Sequence, residues 1–160
     1  QQIRCHGSEE RFEIVADFIY ATFGKSVRYI ADVAGGQGLL ARLLCKKYNY
    51  IPEVIDPRGF TLKGVPSRKS EYSAEMAAYY DLIIGLHPDE ATRAVVESAR
   101  VRPVFVVPCC NFWDASVKLG TKALVEAIEQ YLIAQNIPCT RITLPFKGPK
   151  NVGLLTHPPA

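Results

Sequence analysis

No stretch of the 160-residue sequence approaches the roughly 20 consecutive apolar residues that a bilayer-crossing helix needs. No charged-then-apolar leader opens it either, so the expectation is a soluble, cytoplasmic protein with no membrane partner. Cysteine is sparse and unpatterned. The five residues Cys5, Cys45, Cys109, Cys110 and Cys139 are an odd number, with no C-x-x-C pair and no spacing typical of a secreted disulfide framework. Reduced thiols are expected, and no metal centre, because adjacent cysteines seldom both ligate one tetrahedral zinc. Strong charge of one sign is missing too. A net charge of +3 is too mild to announce a nucleic-acid binder, and Arg58, Lys63, Arg68 and Lys69 read as a solvated basic loop. Internal repeats and low-complexity tracts are absent.

What is present is an apolar half, 48% of the residues, enough for the core of one domain over residues 1–160. Phe12, Val15, Phe18, Ile19 and Phe23 recur at helical spacing and predict a covering helix over about 9–23. A buried strand from Arg28 to Ala34 follows, then a glycine turn, a helix from about Leu39 to Lys47, and a second strand ending at Asp56. A short third strand is expected around Val65–Arg68, and two helical turns over Ser73–Tyr80. Asp81–Leu86 reads as the fourth strand, His87–Ala99 as a helix with Pro88 in its first turn, and Pro103–Pro108 as the fifth strand. A long helix is expected from about Ser116 to Gln135, with Val117, Leu124, Ile128, Tyr131 and Leu132 on one face. Cys139–Phe146 and Val152–Thr156 close the chain as two antiparallel strands. Alternating strands and helices imply an α/β class: a doubly wound, mostly parallel sheet of about seven strands, covered on both faces.

The segment "ADVAGGQGLLARLL", Ala31–Leu44, carries the chemistry. Gly35, Gly36 and Gly38 fill the turn after the first strand, at the sheet edge where open α/β sheets bind ligands. Lacking Cβ, they accept positive φ and let a ligand approach the main chain, while the next helix directs its free N–H groups there. "GQGLLA" fits G-x-G-x-x-A, a dinucleotide-binding variant, which leaves an NAD(P)-binding oxidoreductase as one reading. Asp56, ending the second strand, can accept hydrogen bonds from two ribose hydroxyls in either a nicotinamide or an adenosylmethionine family.

The acid at Asp32 followed by Ala34, Gly36 and Gly38 resembles the first motif of the class I S-adenosylmethionine-dependent methyltransferases, with Ala34 where that family often has its first glycine. The closing antiparallel hairpin is similar to theirs. The resemblance implies a Rossmann-like fold and S-adenosylmethionine as cofactor, held by Asp32, Ala34, Gly35, Gly36, Gly38, Asp56, Pro57, Gly85 and Leu86. No third-strand residue for the adenine is recognisable. "GLH" after the fourth strand and "PCC" after the fifth resemble some branches of the superfamily, certain RNA-modifying ones included.

Those last two motifs should lie on neighbouring strands and bring His87, Cys109, Cys110, Asn111 and Trp113 together. His87 is the candidate general base, with a helix-capping role as its alternative. Cys109 is the candidate nucleophile, as in enzymes that methylate carbon 5 of cytosine; Cys110 reads as a small buried apolar group. The Asp/Asn-Pro-Pro-aromatic motif of amine methylation is missing after the fourth strand, which turns the expectation to an oxygen, a carbon or a small molecule. If the acceptor is RNA, Arg58, Lys63, Arg68, Lys69, Lys147 and Lys150 are the cations for its phosphates, and Phe112 and Trp113 the rings for an unpaired base; the small net charge favours the alternative, which gives the cations to solvent and the rings to the core. A homodimer, a partner subunit or a donor-binding module without activity is the other class of answer.

Overall fold

The computed structural model describes residues 10–148 and 150–159. Cys5 lies outside them. The first described element is helix α1 (Glu10–Phe23), whose buried Val15, Ala16 and Ile19 face the sheet. Strand β1 (Tyr29–Val33) leads through the glycine turn into α2 (Leu39–Tyr48), and β2 (Ile51–Ile55) follows. Next come the two-residue β3 (Ser67–Arg68), β4 (Leu82–Leu86), the short α3 (Thr92–Glu97), β5 (Val104–Val107), α4 (Thr121–Ala134), β6 (Cys139–Thr143) and β7 (Val152–Thr156).

These strands form one sheet in the order β3-β2-β1-β4-β5-β7-β6. Pairing from β3 to β5 is parallel, and β7 pairs antiparallel with both β5 and β6. This is the expected α/β, Rossmann-like, doubly wound arrangement with an antiparallel hairpin at its end. The parallel order reverses between β1 and β4, which opens a crevice at their carboxyl ends. No described helix is long and apolar enough to cross a membrane.

Burial on both faces follows from strand alternation. Ala31, Val33, Ile83, Val104, Val106 and Leu154 meet the layer of α3 and α4. Their neighbours Ile30, Leu82, Ile84, Phe105, Val107 and Leu155 meet α1 and α2. With two helical layers to satisfy, the strands read as unbroken apolar runs.

Three local expectations are corrected. The long helix starts at Thr121 and not at Ser116; Val117 lies in the preceding loop, exposed, because Gly120 takes an extended backbone that ends any upstream helical register. Ser73–Tyr80 forms only a tight 3-10 segment over Ala74–Tyr79. The helix expected from His87 is interrupted, since His87 and Asp89 both take positive φ, 51° and 49°. Regular α-helix therefore begins only at Thr92.

Candidate functional site

Strain gathers where the parallel order reverses. Ala34 at the end of β1 (φ 56°), His87 after β4 and Asp89 are non-glycine residues in the left-handed region, a conformation worth roughly 1–2 kcal/mol apiece to avoid. They border two adjoining cavities of about 390 and 480 Å³ at the carboxyl edge. Ala34, Arg58 and Asp89 line both, so the cavities are two lobes of one cleft.

The larger lobe lies against the glycine turn. Gly35, Gly36, Asp32, Leu86 and His87 line it, together with Arg11 and Phe12 from α1, Cys109, Cys110 and Lys150. Asp32 is 2% exposed, and its Oδ2 has no hydrogen-bond partner. Burial pushes its carboxyl up to about 7; the Ala41 N–H in the first turn of α2 pulls the other way, and the neighbouring Asp56 charge adds to the rise. Gly35 is obligatory for contact reasons, because a Cβ there would sit 2.5 Å from Asp32 Oδ2. Gly36 has φ 60°, and its N–H donates to Asp56 Oδ2 at 2.9 Å.

Asp56 is buried as deeply, 1% exposed, yet its carboxylate is fully engaged. Oδ1 accepts from the Arg58 N–H at 2.9 Å and from Arg58 Nε at 3.0 Å. Oδ2 accepts from Gly36 and, at 2.7 Å, from Arg58 Nη2. Burial works to raise its pKa, but the Arg58 side chain and the Arg58 and Gly36 N–H groups outweigh it and hold the carboxyl below the ordinary carboxylate value.

His87 does not cap a helix. Its Nε2 donates to the Lys150 carbonyl at 2.9 Å, which leaves Nδ1 as the acceptor facing Arg11 Nη1 at 3.4 Å. Burial, with help from the Arg11 and Lys150 charges, lowers its pKa against the Lys150 hydrogen bond and Asp89, so the imidazole is neutral at physiological pH. Cys109 Sγ lies 3.3 Å from Cys110 Sγ and 3.6 Å from Asp89 Oδ1. Its thiol is pushed up to about 12, by burial first and then by Cys110 and Asp89. A nucleophile needs the opposite shift. Cys110 is exposed, against the expectation of a buried apolar group.

Other expected residues lie elsewhere. Gly38 and Gly85 are absent from both linings; a Cβ on Gly38 would meet Val65 at 2.8 Å, and one on Gly85 would meet Pro88 and Val95 at 3.1 Å. Arg68 pairs with Glu53 outside the cleft, and Lys69 lies along Gly59. Asn111 braces its own loop through Asp114 and Val117. Trp113 is buried on Tyr131 beneath the Arg93 guanidinium, whose Nη2 donates to the Trp113 carbonyl. Its ring is core and offers no platform to a base; Phe112, 44% exposed, does line the smaller lobe.

That smaller lobe also holds Pro57 and Asp56, and two residues that sequence reasoning passed over, Glu71 and Tyr72. Glu71 comes just after β3, at the carboxyl edge by topology, and that position was the available signal. Arg11 was missed because it belongs to a covering helix that was read only for its apolar face.

No protein-family model and no curated protein matches the sequence. Solved structures do. The chain aligns with the sugar N-methyltransferase KedS8 from Streptoalloteichus sp. at a TM-score of 0.60 and 12% identity, over 99% of this chain and 98% of that one. With the human methyltransferase 10 domain containing protein the TM-score is 0.68 at 13% identity, over 97% and 84%. With human N-acetylserotonin methyltransferase, solved in complex with SAM, it is 0.55 at 11% identity, over 94% of this chain and 51% of that one. Identities this low speak for the fold alone.

Proposed function

We propose that the protein is an S-adenosylmethionine-dependent methyltransferase acting on a small acceptor, with the donor in the two-lobed cleft. The observation that carries the reading is Asp32 Oδ2: a buried carboxylate oxygen without a partner, on the wall of a cavity beside the glycine turn. A buried charge of that kind is costly unless a cation arrives to pair with it, and the donor's methionine end brings an ammonium. The donor-bound methyltransferase among the structures sharing this fold supports the same assignment.

The residues fit the donor's remaining parts. Arg11 offers a cation to the methionine carboxylate, Asp56 accepts from the ribose hydroxyls once Arg58 turns aside, and Glu71, Tyr72 and Pro57 bound the lobe left for adenine. Bound S-adenosylmethionine supplies an already electrophilic methyl group. The protein's part is to align the acceptor, exclude water and, for a hydroxyl acceptor, receive its proton at His87 Nδ1. For that step Arg11 must shift its hydrogen bond from Nδ1 to the ligand. With Trp113 in the core and Arg68 and Lys69 outside the cleft, an RNA acceptor has little to hold it, and lobes of this size suit a small molecule.

Calorimetric titration with S-adenosylmethionine and its demethylated product tests the reading; saturable one-to-one binding of either is expected. Silence with both, together with binding of a nicotinamide dinucleotide, overturns it in favour of an oxidoreductase. His87→Ala should slow turnover on the order of 100-fold while donor affinity holds. Unaltered turnover removes His87 from the chemistry.

A further inference from the structure

We propose that Cys109 and Cys110 form a dithiol switch in the cleft wall, which a hydroperoxide closes into a disulfide between adjacent residues. The two sulfurs are 3.3 Å apart. Lys150 Nζ stands 3.6 Å from Cys110 Sγ and 3.9 Å from Cys109 Sγ. The Lys150 charge pulls the Cys109 thiol down against the stronger rise from burial, Cys110 and Asp89, and it opposes a metal cation at the same place, although Asp89 and the two thiols are grouped closely enough to be weighed as ligands. Cys110 is exposed and so meets the oxidant first.

The chemistry balances without another partner. The Cys110 sulfur attacks one peroxide oxygen, the O–O bond breaks, and the departing oxygen takes the thiol proton to leave as water or alcohol. Cys110 is then a sulfenic acid. Cys109 Sγ attacks Cys110 Sγ, the S–S bond forms, and the sulfenic hydroxyl departs with the Cys109 proton as water. The thiol pair has lost two electrons and the peroxide has gained them. Adjacent Cα atoms lie about 3.8 Å apart, short of the roughly 4.4–6.8 Å that a relaxed disulfide spans. The closed form is strained and readily reduced, as a reversible switch requires.

Closure would act on the cleft. Both cysteines line the larger lobe and Phe112, two residues on, lines the smaller. Lys150, which contacts both sulfurs, also holds His87 through its carbonyl. The disulfide chemistry stands without the donor reading; only its effect on donor affinity rests on that reading.

Trypsin releases residues 101–118, which contain Cys109 and Cys110 and no other cysteine. After treatment of the whole protein with hydrogen peroxide, this peptide should lose the mass of two hydrogens, and dithiothreitol should restore it. Cys109→Ser and Cys110→Ser should each abolish the loss, and Lys150→Ala, which spares both thiols, should slow it at least about threefold. Oxidised protein should then bind S-adenosylmethionine several-fold more weakly than reduced protein. Direct passage to sulfinic acid, links between chains, an unreacted peptide while Cys45 oxidises, or a stoichiometric metal in the purified protein overturns the proposal. Mass loss with no donor binding in either state would fault the donor reading and leave the dithiol intact.

Discussion

The ends of β1 and β2 lie side by side, and each carries a carboxylate almost wholly removed from solvent. Asp32 has an oxygen without a partner and is raised to about 7; Asp56 has both oxygens engaged by Arg58 and Gly36 and is lowered. Both are closed to solvent, yet their protonation behaviour is opposite: burial dominates at Asp32, whereas at Asp56 the hydrogen bonds from Arg58 and Gly36 outweigh it. At the β1 end one carboxylate oxygen is left without a partner, whereas at the β2 end both oxygens are covered by a guanidinium and a main-chain N–H. On the proposed reading, the donor's ammonium completes the first and its ribose displaces the Arg58 side chain from the second.

Removing the paired acid should have the largest effect. Asp56→Ala deletes two charge-assisted acceptors for the ribose, and donor affinity measured by calorimetry should fall on the order of 100-fold. A change under threefold would break the comparison at the β2 end.

The unpaired acid shows itself in the pH dependence of stability. Asp32, raised to about 7, keeps its proton in the folded chain where the unfolded chain, near 4, has lost it. Stability therefore falls as pH rises from about 4 to 7, and Asp56, lowered in the fold, contributes stability that is lost only as pH drops below about 4. Denaturant melts of Asp32→Asn should show a flattened slope across the upper window and a gain at pH 8 on the order of 2–4 kcal/mol. Donor affinity of the parent protein should rise over the same window, since the ammonium needs the ionised carboxylate.

Gly35→Ala should cost about 1–3 kcal/mol in the same melts, because the new methyl meets the Asp32 carboxylate. Combined with Asp32→Ala it should cost markedly less than the sum of the two single changes. Strict additivity would mean that the turn needs glycine for another reason. The smallest effect is expected from Arg58→Ala, which uncovers Asp56 and should tighten donor binding by about two- to fivefold, the residue of a desolvated but half-exposed ion pair. Weaker binding would make Arg58 a holder of the ligand.

Much of the fold could be read along the chain because its signals are local. Apolar runs of strand length, helical spacing from Phe12 to Phe23 and the glycines after β1 depend on residues within one element, and the alternation of elements dictates parallel pairing with covered faces. Local signals failed where the same apolar period ran on past an element's end. Val117 keeps the spacing of α4 without belonging to it.

By itself the sequence determined that an acid and a glycine turn end the first strand, that a second acid ends the next, and that both lie on the carboxyl edge of a parallel sheet. Tertiary structure alone decided that Asp32 Oδ2 lacks a partner while Asp56 is sealed by Arg58, that Arg11 reaches the cleft from α1, and that Lys150 from the closing hairpin meets His87 and the cysteine pair. The physical reason is that hydrogen-bond satisfaction and desolvation belong to a position in space. Arg11 bears on the protonation of His87, 76 residues away in sequence, only after the fold has brought the two together.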